Sequence, residues 1–323
     1  MREVVFIRKN KDKWQQYEEV LYKNFYLSPD DITTIYIDLT DDLAYATTYY
    51  PESKTTAYLN ELAATAHRKI YKTKKTSGNA IKRFYLHNFP LMFYQYRKML
   101  LLSFIIFALF VAIGAYSASM DTDYVRLILG DDYVDKTLQY ITNGDPMAVY
   151  KQANEVDMFL GITINNIKVA LTTFMYGLLL GLGTYYMLMS NAIMLGSFQY
   201  FFYEQAVFSE SVRTIWIHGT IEISVIIVAG AAGFIMASGI LFPGTYTRTQ
   251  AFIRKSRDGL KVMVSTIPFF IIAGFLEGFV TRHTEMPNWL SIIIIMSSLL
   301  LIIYYYVLLP AKIYKNLHKP INK

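Results

Sequence analysis

The apolar residues of this chain fall into long, almost unbroken blocks separated by shorter polar segments. A helix that crosses a bilayer needs about 20 mostly apolar residues. Four blocks meet that length and a fifth exceeds it; they cover residues 99–119, 166–189, 214–242, 262–281 and 289–309. The pattern predicts an all-α fold, namely a polytopic bundle of membrane helices.

The charges between the blocks predict how the spans are oriented. Lys and Arg outnumber acids in 1–98, 243–261 and 310–323, whereas acids prevail in 120–165. Because basic loops stay on the cytoplasmic side, the first three segments are expected there and 120–165 outside. The shorter stretch 190–207 must then also cross, which gives about six spans with both termini cytoplasmic. If 190–207 is re-entrant instead, the charge rule fails for everything after it.

Composition divides the chain into regions on either side of the first apolar block. Residues 1–79 are expected to form a small helical cytoplasmic domain. Residues 99–309 form the predicted transmembrane domain, which includes the acidic external segment 120–165. Residues 310–323 form a basic tail, which is expected in the cytoplasm.

Residues 80–98 mix aromatic and basic side chains directly before the first apolar block. That composition is typical of an amphipathic helix lying at the membrane interface. Pro90 is expected to break this helix, because proline removes a backbone donor. A soluble helix packed on its neighbours is the alternative interpretation.

Composition also narrows the class of protein. The 323 residues are 54% hydrophobic and only 17% charged, which is typical of an integral membrane protein. Since the chain has no Cys, a disulfide scaffold, a thiolate zinc site, an iron–sulfur cluster and a Cys nucleophile are excluded. The sequence has no Walker A motif, dinucleotide fingerprint, nucleophile elbow or HExxH pair. We therefore expect no enzyme, no catalytic residue and no cofactor, and the distribution of basic residues does not indicate nucleic-acid binding.

Three ionisable side chains stand out inside the apolar blocks, where such groups are costly and usually face the interior of a bundle. His218 and Glu222 share one helix face because they are four residues apart, and Glu277 lies between Gly274 and Gly278. In the six-span topology the three lie at a similar depth and can meet. Three interpretations of such a cluster are open. It fixes the packing of the helices, it relays protons or cations, or it binds a metal ion. One His and two carboxylates resemble part of a metal shell, but the packing cluster is favoured and no metal is assigned.

Small residues recur at helical spacing in the same blocks, which allows helices to approach closely in lipid. Two GxxxG pairs and the run AGAAG at 229–233 carry this pattern. The pattern favours tight packing within one chain or between two, and a homodimer is expected from it. The glycines concerned are Gly177, Gly181, Gly230, Gly233, Gly274 and Gly278.

Three stretches resemble the stage II sporulation protein M family of multi-pass bacterial membrane proteins. They are NAIMLG at 191–196, HGTIE at 218–222 with AGAAG and a Pro-Gly pair after it, and EGFVT at 277–281. Their order matches that of the family, and the resemblance covers about 165–282. The residues assigned to the family motif, besides His218, Glu222 and Glu277, are Asn191, Gly196, Gly219, Pro243, Gly244 and Arg248.

The resemblance implies a scaffold more than an enzyme. Its founding member anchors peptidoglycan-degrading partners and is not itself the hydrolase, and many relatives are encoded beside AAA+ ATPases. We therefore expect a non-enzymatic scaffold or anchor for an envelope complex in the bacterial cytoplasmic membrane. Its partners would be membrane lipid, other membrane or envelope proteins, and an AAA+ or ABC ATPase. The alternative is a transport or channel subunit, an ABC-2-like permease half or a proton-coupled one, that uses Glu222 and Glu277.

Overall fold

A computed structural model describes residues 2–22, 29–71, 80–148, 154–282 and 286–317. Within these ranges the chain forms helices and turns and no strand, which confirms the predicted all-α fold. The chain separates into two compact units, Met1–Ala80 and Ile81–Lys323. The boundary between them lies next to the one expected at residue 79.

The first unit consists of three helices with a core of their own. They are α1 (Glu3–Tyr22), α2 (Pro29–Tyr49) and α3 (Lys54–Tyr71). Trp14 and Leu39 are among the side chains buried between them. Two hydrogen bonds link α1 to α2 beside that core. The Trp14 indole donates to Asp42 over 2.7 Å, and the Tyr17 hydroxyl donates to Asp38 over 2.5 Å.

The second unit contains the long apolar helices and the shorter helices that connect them. In chain order, the helices after α3 are α4 (Ala80–Arg83), α5 (Phe89–Tyr94), α6 (Arg97–Met120), α7 (Thr122–Leu129), α8 (Asp131–Thr142), α9 (Glu155–Met175), α10 (Leu182–Glu204), α11 (Phe208–Leu241), α12 (Arg248–Phe275), α13 (Asn288–Ile303) and α14 (Leu309–Leu317). Wider π-helical turns join some of them without a break, at Phe84–Asn88, Leu276–Val280 and Tyr304–Leu308.

Among the described residues, five helical segments are long and apolar enough to cross a membrane. They are Arg97–Met120, Glu155–Leu178, Phe208–Leu241, Arg248–Val280 and Asn288–Asn316. The 23-residue helix α10 is a further long helix. At about 1.5 Å per residue it also matches the hydrocarbon thickness. Residues 190–204 make up the larger part of α10. Most of the stretch 190–207 therefore belongs to one long helix and does not form a short segment of its own.

Helix α10 runs parallel to α6. Near their starts, Leu188 and Ser103 both lie against Gly230. Further along, the Ser197 hydroxyl approaches the Gly114 carbonyl oxygen at 3.4 Å. Both helices therefore point the same way, as the six-span topology requires of α10.

The other long helices alternate in direction around α11. Helix α9 is parallel to α11, because Asn166 lies at Glu222 and Gly177 lies at Gly233. Helix α12 is antiparallel to both, since Gly259 lies at Ala232 while the end of its π-helical turn comes back to His218. Helix α13 starts at the start of α11, where Arg213 donates to Asn288. Helices α6, α10 and α12 thus run one way, and α9, α11 and α13 the other.

The turn between α9 and α10 lies inside the apolar block that was expected to be one span, 166–189. Helix α9 begins at Glu155, because the Asn154 side chain accepts from the Val156 backbone N–H as its N-cap and Glu155 adds charge at the positive dipole end. The chain then reverses at Leu180 and Gly181, with φ of 55° and 84°. Hydropathy does not detect this turn because it is built mainly of leucines. Residues 155–165, grouped with the acidic external segment, are the first turns of α9.

The segment before α6 packs into the bundle. Phe89 and Phe93 are fully buried, and the Phe89 ring stacks on Tyr305 with a centroid separation of 5.6 Å. The expected break at Pro90 is wrong, because the helix runs on through it and bends later, at Gln95 and Tyr96. The π-helical turn Phe84–Asn88 ends just before α5, and Pro90 is the second residue of α5. The missing backbone N–H therefore lies in the first turn of a helix, where proline is tolerated.

Helices α7 and α8 form a layer at the end of the bundle where α6 and α10 end. Val125 and Val134 pack there with Phe201 and Phe202 from the end of α10. The Asp121 side chain accepts from the Asp123 backbone N–H and starts α7. The acidic connection between the first two spans is therefore a folded helical layer along 121–142.

Candidate functional site

The candidate site is a polar cluster inside the second unit. Helix α11 carries two of its residues, one turn apart. His218 is only 3% exposed, because α11 runs through the middle of the bundle and is covered by its neighbours along most of its length. Glu222 lies on the same face, towards α9. The sequence places both residues on that face by their spacing.

Glu277 comes to the cluster from α12, in the π-helical turn Leu276–Val280. The backbone marks that turn, since the Thr281 N–H donates to the Leu276 carbonyl oxygen five residues earlier, over 2.8 Å. Glu277 is 9% exposed, and its Oε2 lies 3.6 Å from His218 Nε2. Such turns recur at functional sites because they re-aim one side chain without ending the helix.

Thr281 lies beside the ring of His218. Its hydroxyl oxygen is 3.1 Å from the Leu276 carbonyl oxygen and 3.0 Å from His218 Nδ1. The hydroxyl has one proton, so when it donates to Leu276 its oxygen accepts from Nδ1–H, and Nε2 of that tautomer faces Glu277 with its lone pair.

Asn166 on α9 completes the group. Its amide Nδ2 donates to Glu222 Oε1 over 2.5 Å. Asn166 and Thr281 were not among the predicted site residues, because neither side chain is ionisable. The signal for Asn166 was an amide near the middle of an apolar helix, and the signal for Thr281 was its place in the EGFVT run.

The structure brings together the three residues that the sequence proposed. One ligand atom each from His218, Glu222 and Glu277 lies within 4.8 Å of the other two. Two carboxylates so close together in a poorly solvated place repel each other unless a proton or a cation lies between them. The arrangement can therefore share a proton, relay one, or hold a cation.

A polar cavity of 220 Å³ lies beside the cluster, at the end of the bundle where α7 and α8 lie. Glu210, Arg213 and Asn288 are among the residues that line it, and so is Thr281. Thr281 thus contacts both the cavity and His218. His218, Glu222 and Glu277 are not among its lining residues, so the cavity reaches towards the cluster only as far as Thr281.

The predicted packing glycines lie at helix contacts. A Cβ at Gly230 would lie 2.5 Å from the Ser103 hydroxyl oxygen, and one at Gly233 would lie 3.0 Å from the Thr173 carbonyl oxygen. Gly274 and Gly278 face Phe159 on α9, and Gly177 faces Gly233. Gly181 was expected to form a GxxxG pair with Gly177 on one helix. It lies instead in the turn, with a left-handed φ of 84°, and packs against Ala237 from there.

The residues assigned to the family motif have separate structural roles. Gly196 lies against the backbone of α6 at Val111, whereas Gly219 has open space beside it. The Asn191 amide donates to the Met187 carbonyl oxygen of its own helix over 2.8 Å. Pro243 and Gly244 follow the end of α11, where Gly244 has a φ of 65°, and Arg248 is the first residue of α12.

Comparison with known proteins covers both units. The family model described as stage II sporulation protein M matches residues 103–282, more than half of the chain. A model described as a domain of unknown function matches residues 4–72, which are the helices of the first unit. No curated protein and no solved structure matches the chain.

Proposed function

The chain belongs to the stage II sporulation protein M family, and from this premise we propose that it is a non-enzymatic scaffold that anchors an envelope complex. The complex would lie in the bacterial cytoplasmic membrane. Among the described residues, the basic positions of 243–261 and of 310–317 lie at one end of the bundle, and the acidic layer α7–α8 lies at the other. This arrangement favours cytoplasmic termini by the positive-inside rule.

The observation that carries the proposal is the close packing around α11. Along that helix, Gly230, Gly233 and Gly239 touch atoms of four neighbouring helices at distances that leave no room for a methyl group. Close contacts of this kind hold helices in fixed positions. Such a core suits an anchor better than a pore, because an anchor must hold its outer surfaces in place while a pore must open.

The folded layers outside the apolar helices are the surfaces on which partners would bind. Leu127 on α7 is 80% exposed, although α7 is otherwise held against α10. An exposed leucine outside the bundle core suits an apolar contact with an external protein, such as an envelope hydrolase. The first unit would receive a cytoplasmic partner, for which an AAA+ or ABC ATPase is the candidate, and the chain itself would form a homodimer.

Affinity purification of the full chain from its host in mild detergent tests the proposal. We expect envelope proteins in fixed ratio to the chain, and we expect Leu127→Asp to release an external one. Gln139→Asp is the matched control, since Gln139 is exposed on α8 in the same layer. Recovery of the chain with no protein in fixed ratio, under detergents that preserve its fold, would contradict a scaffold.

A second candidate, a transport or channel subunit, is favoured by one observation. Thr281, His218, Glu277, Glu222 and Asn166 form a polar row that starts at the cavity and continues between the helices. Flux of protons or cations through the chain in liposomes, lost in a well-folded Glu277→Gln variant, would favour this candidate over the scaffold.

A further inference from the structure

We propose that His218, Glu222 and Glu277 bind one divalent transition-metal cation, and that Zn²⁺ is the best match. The ligands would be His218 Nε2 and one carboxylate oxygen from each glutamate. This site does not depend on which proteins the chain anchors, and it concerns the cluster alone.

The spacing of the ligand atoms suits a shared cation better than a direct hydrogen bond. His218 Nε2 and Glu277 Oε2 are 3.6 Å apart, which is beyond hydrogen-bond length. Zinc holds imidazole nitrogen and carboxylate oxygen at about 2.0–2.2 Å in a tetrahedral arrangement, so two such ligands lie about 3.4 Å apart. The ligand atoms of all three residues lie within 4.8 Å of one another, so the longest separation has to shorten by at most about 1.4 Å to reach that value.

The partners behind the ligands are those that a metal site requires. Ligating histidines usually donate their second ring N–H to a neighbour, which fixes the ring. Here His218 Nδ1 lies 3.0 Å from the Thr281 hydroxyl oxygen, to which it can donate, and Nε2 is the nitrogen turned to Glu277. Asn166 donates to Glu222 Oε1 and leaves the other carboxylate oxygen for the cation. Each of these ligands is therefore oriented from outside the site.

Charge favours a cation in the same place. Two glutamates in a membrane bundle carry a large energetic cost when both are ionised, and a divalent cation cancels their charge. One nitrogen and two carboxylate oxygens suit Zn²⁺, whereas Ca²⁺ and Mg²⁺ prefer all-oxygen sites. The cavity reaches as far as Thr281, whose hydroxyl lies next to His218, and the π-helical turn places Glu277 at the site.

Metal analysis of the full chain tests the proposal. The chain is purified in detergent with a tag that contains no histidine, and it is then measured by mass spectrometry for metals. We expect about one Zn²⁺ per chain for the wild type, as for a single site. We expect loss of that zinc in Glu277→Gln and Glu222→Gln, and retention in Glu210→Gln, which changes a cavity-lining residue at the start of the same helix.

Cobalt titration keeps the test decisive if a variant fails to fold. Co²⁺ bound by nitrogen and oxygen ligands gives visible bands, which are measured first on the metal-stripped wild type and then on Asn166→Ala. We expect saturation at about one Co²⁺, reversal by Zn²⁺, and about 10–100-fold weaker binding in Asn166→Ala. The proposal is overturned if the wild type binds neither Co²⁺ nor Zn²⁺, or if folded Glu277→Gln binds them as tightly as the wild type.

Discussion

Gly196 lies against Val111 so closely that a methyl group on Gly196 would overlap the Val111 carbonyl oxygen. This contact joins α10 to α6 backbone to backbone, about two thirds of the way along each helix. In contrast, a methyl group on Gly219 would meet only the Ile215 side chain, at 3.9 Å. Both glycines belong to the motif assigned to the family, but only Gly196 is required by packing.

Alanine substitutions at these two glycines should therefore have opposite effects. Gly196→Ala forces the two helices apart and should lower the free energy of unfolding by about 1–3 kcal/mol. Gly219→Ala has room and gains up to about 1 kcal/mol of helix propensity. Thermal unfolding in detergent measures both. Equal melting temperatures for the two variants would mean that α10 and α6 do not approach as described.

The hydrogen bond between Asn166 and Glu222 should contribute measurably to the stability of the bundle. Glu222→Ala is expected to lower the melting temperature, because it leaves a partly buried amide without its acceptor. A double-mutant cycle with Asn166→Ala should give a coupling energy of about 0.5–3 kcal/mol.

Unfolding of the two single variants and of the double variant provides this number. If the effects of the single substitutions simply add, then Asn166 and Glu222 do not interact. Glu277→Gln is the control for fold, since it keeps the shape of the side chain and is expected to leave the bundle assembled.

Tyr17 gives the first unit a predicted dependence on alkaline pH. Burial, together with the hydrogen bond to Asp38, raises the pKa of Tyr17 to about 12. An unfolded tyrosine ionises near pH 10, so the folded unit binds the proton more tightly. The resulting stability is fully present below pH 10 and is lost as the pH rises through about 12.

The isolated unit Met1–Ala80, which has its own core, is suited to this measurement. The difference in melting temperature between wild type and Tyr17→Phe should be largest near neutral pH and should shrink above pH 10. A difference that stays constant up to pH 12 would show that the Tyr17 proton is not held by the fold.

Much of the bundle follows from hydropathy alone, and what did not follow has physical reasons. The turn at Leu180 and Gly181 was missed because its exposed leucines are as apolar as the helices on either side. Signals for it were present, since Gly177, Gly181 and Gly183 crowd one short stretch. The bend after α5 follows a segment that packs against a part of the chain far away in sequence, since Phe89 stacks on Tyr305.

The candidate site was predictable in part. His218, Glu222 and Glu277 stood out because ionisable groups are rare inside apolar helices. Their meeting depended on alternating helix directions, which the charge pattern supplied. Asn166 and Thr281 were not predicted, because single amides and hydroxyls are common in membrane helices. The π-helical turn that carries Glu277 has no signature in the local sequence.

The central claim is that α10 crosses the membrane in full, so that six helices alternate and α7–α8 lie outside. Single cysteines test it directly, because the chain has none of its own. Ser119, Ser209 and Thr247 are exposed positions at three different helix ends. With a membrane-impermeant thiol reagent on intact cells, Ser119→Cys and Ser209→Cys should label from outside and Thr247→Cys only after lysis. Labelling of Thr247→Cys from outside, together with protection of Ser209→Cys, would contradict the topology.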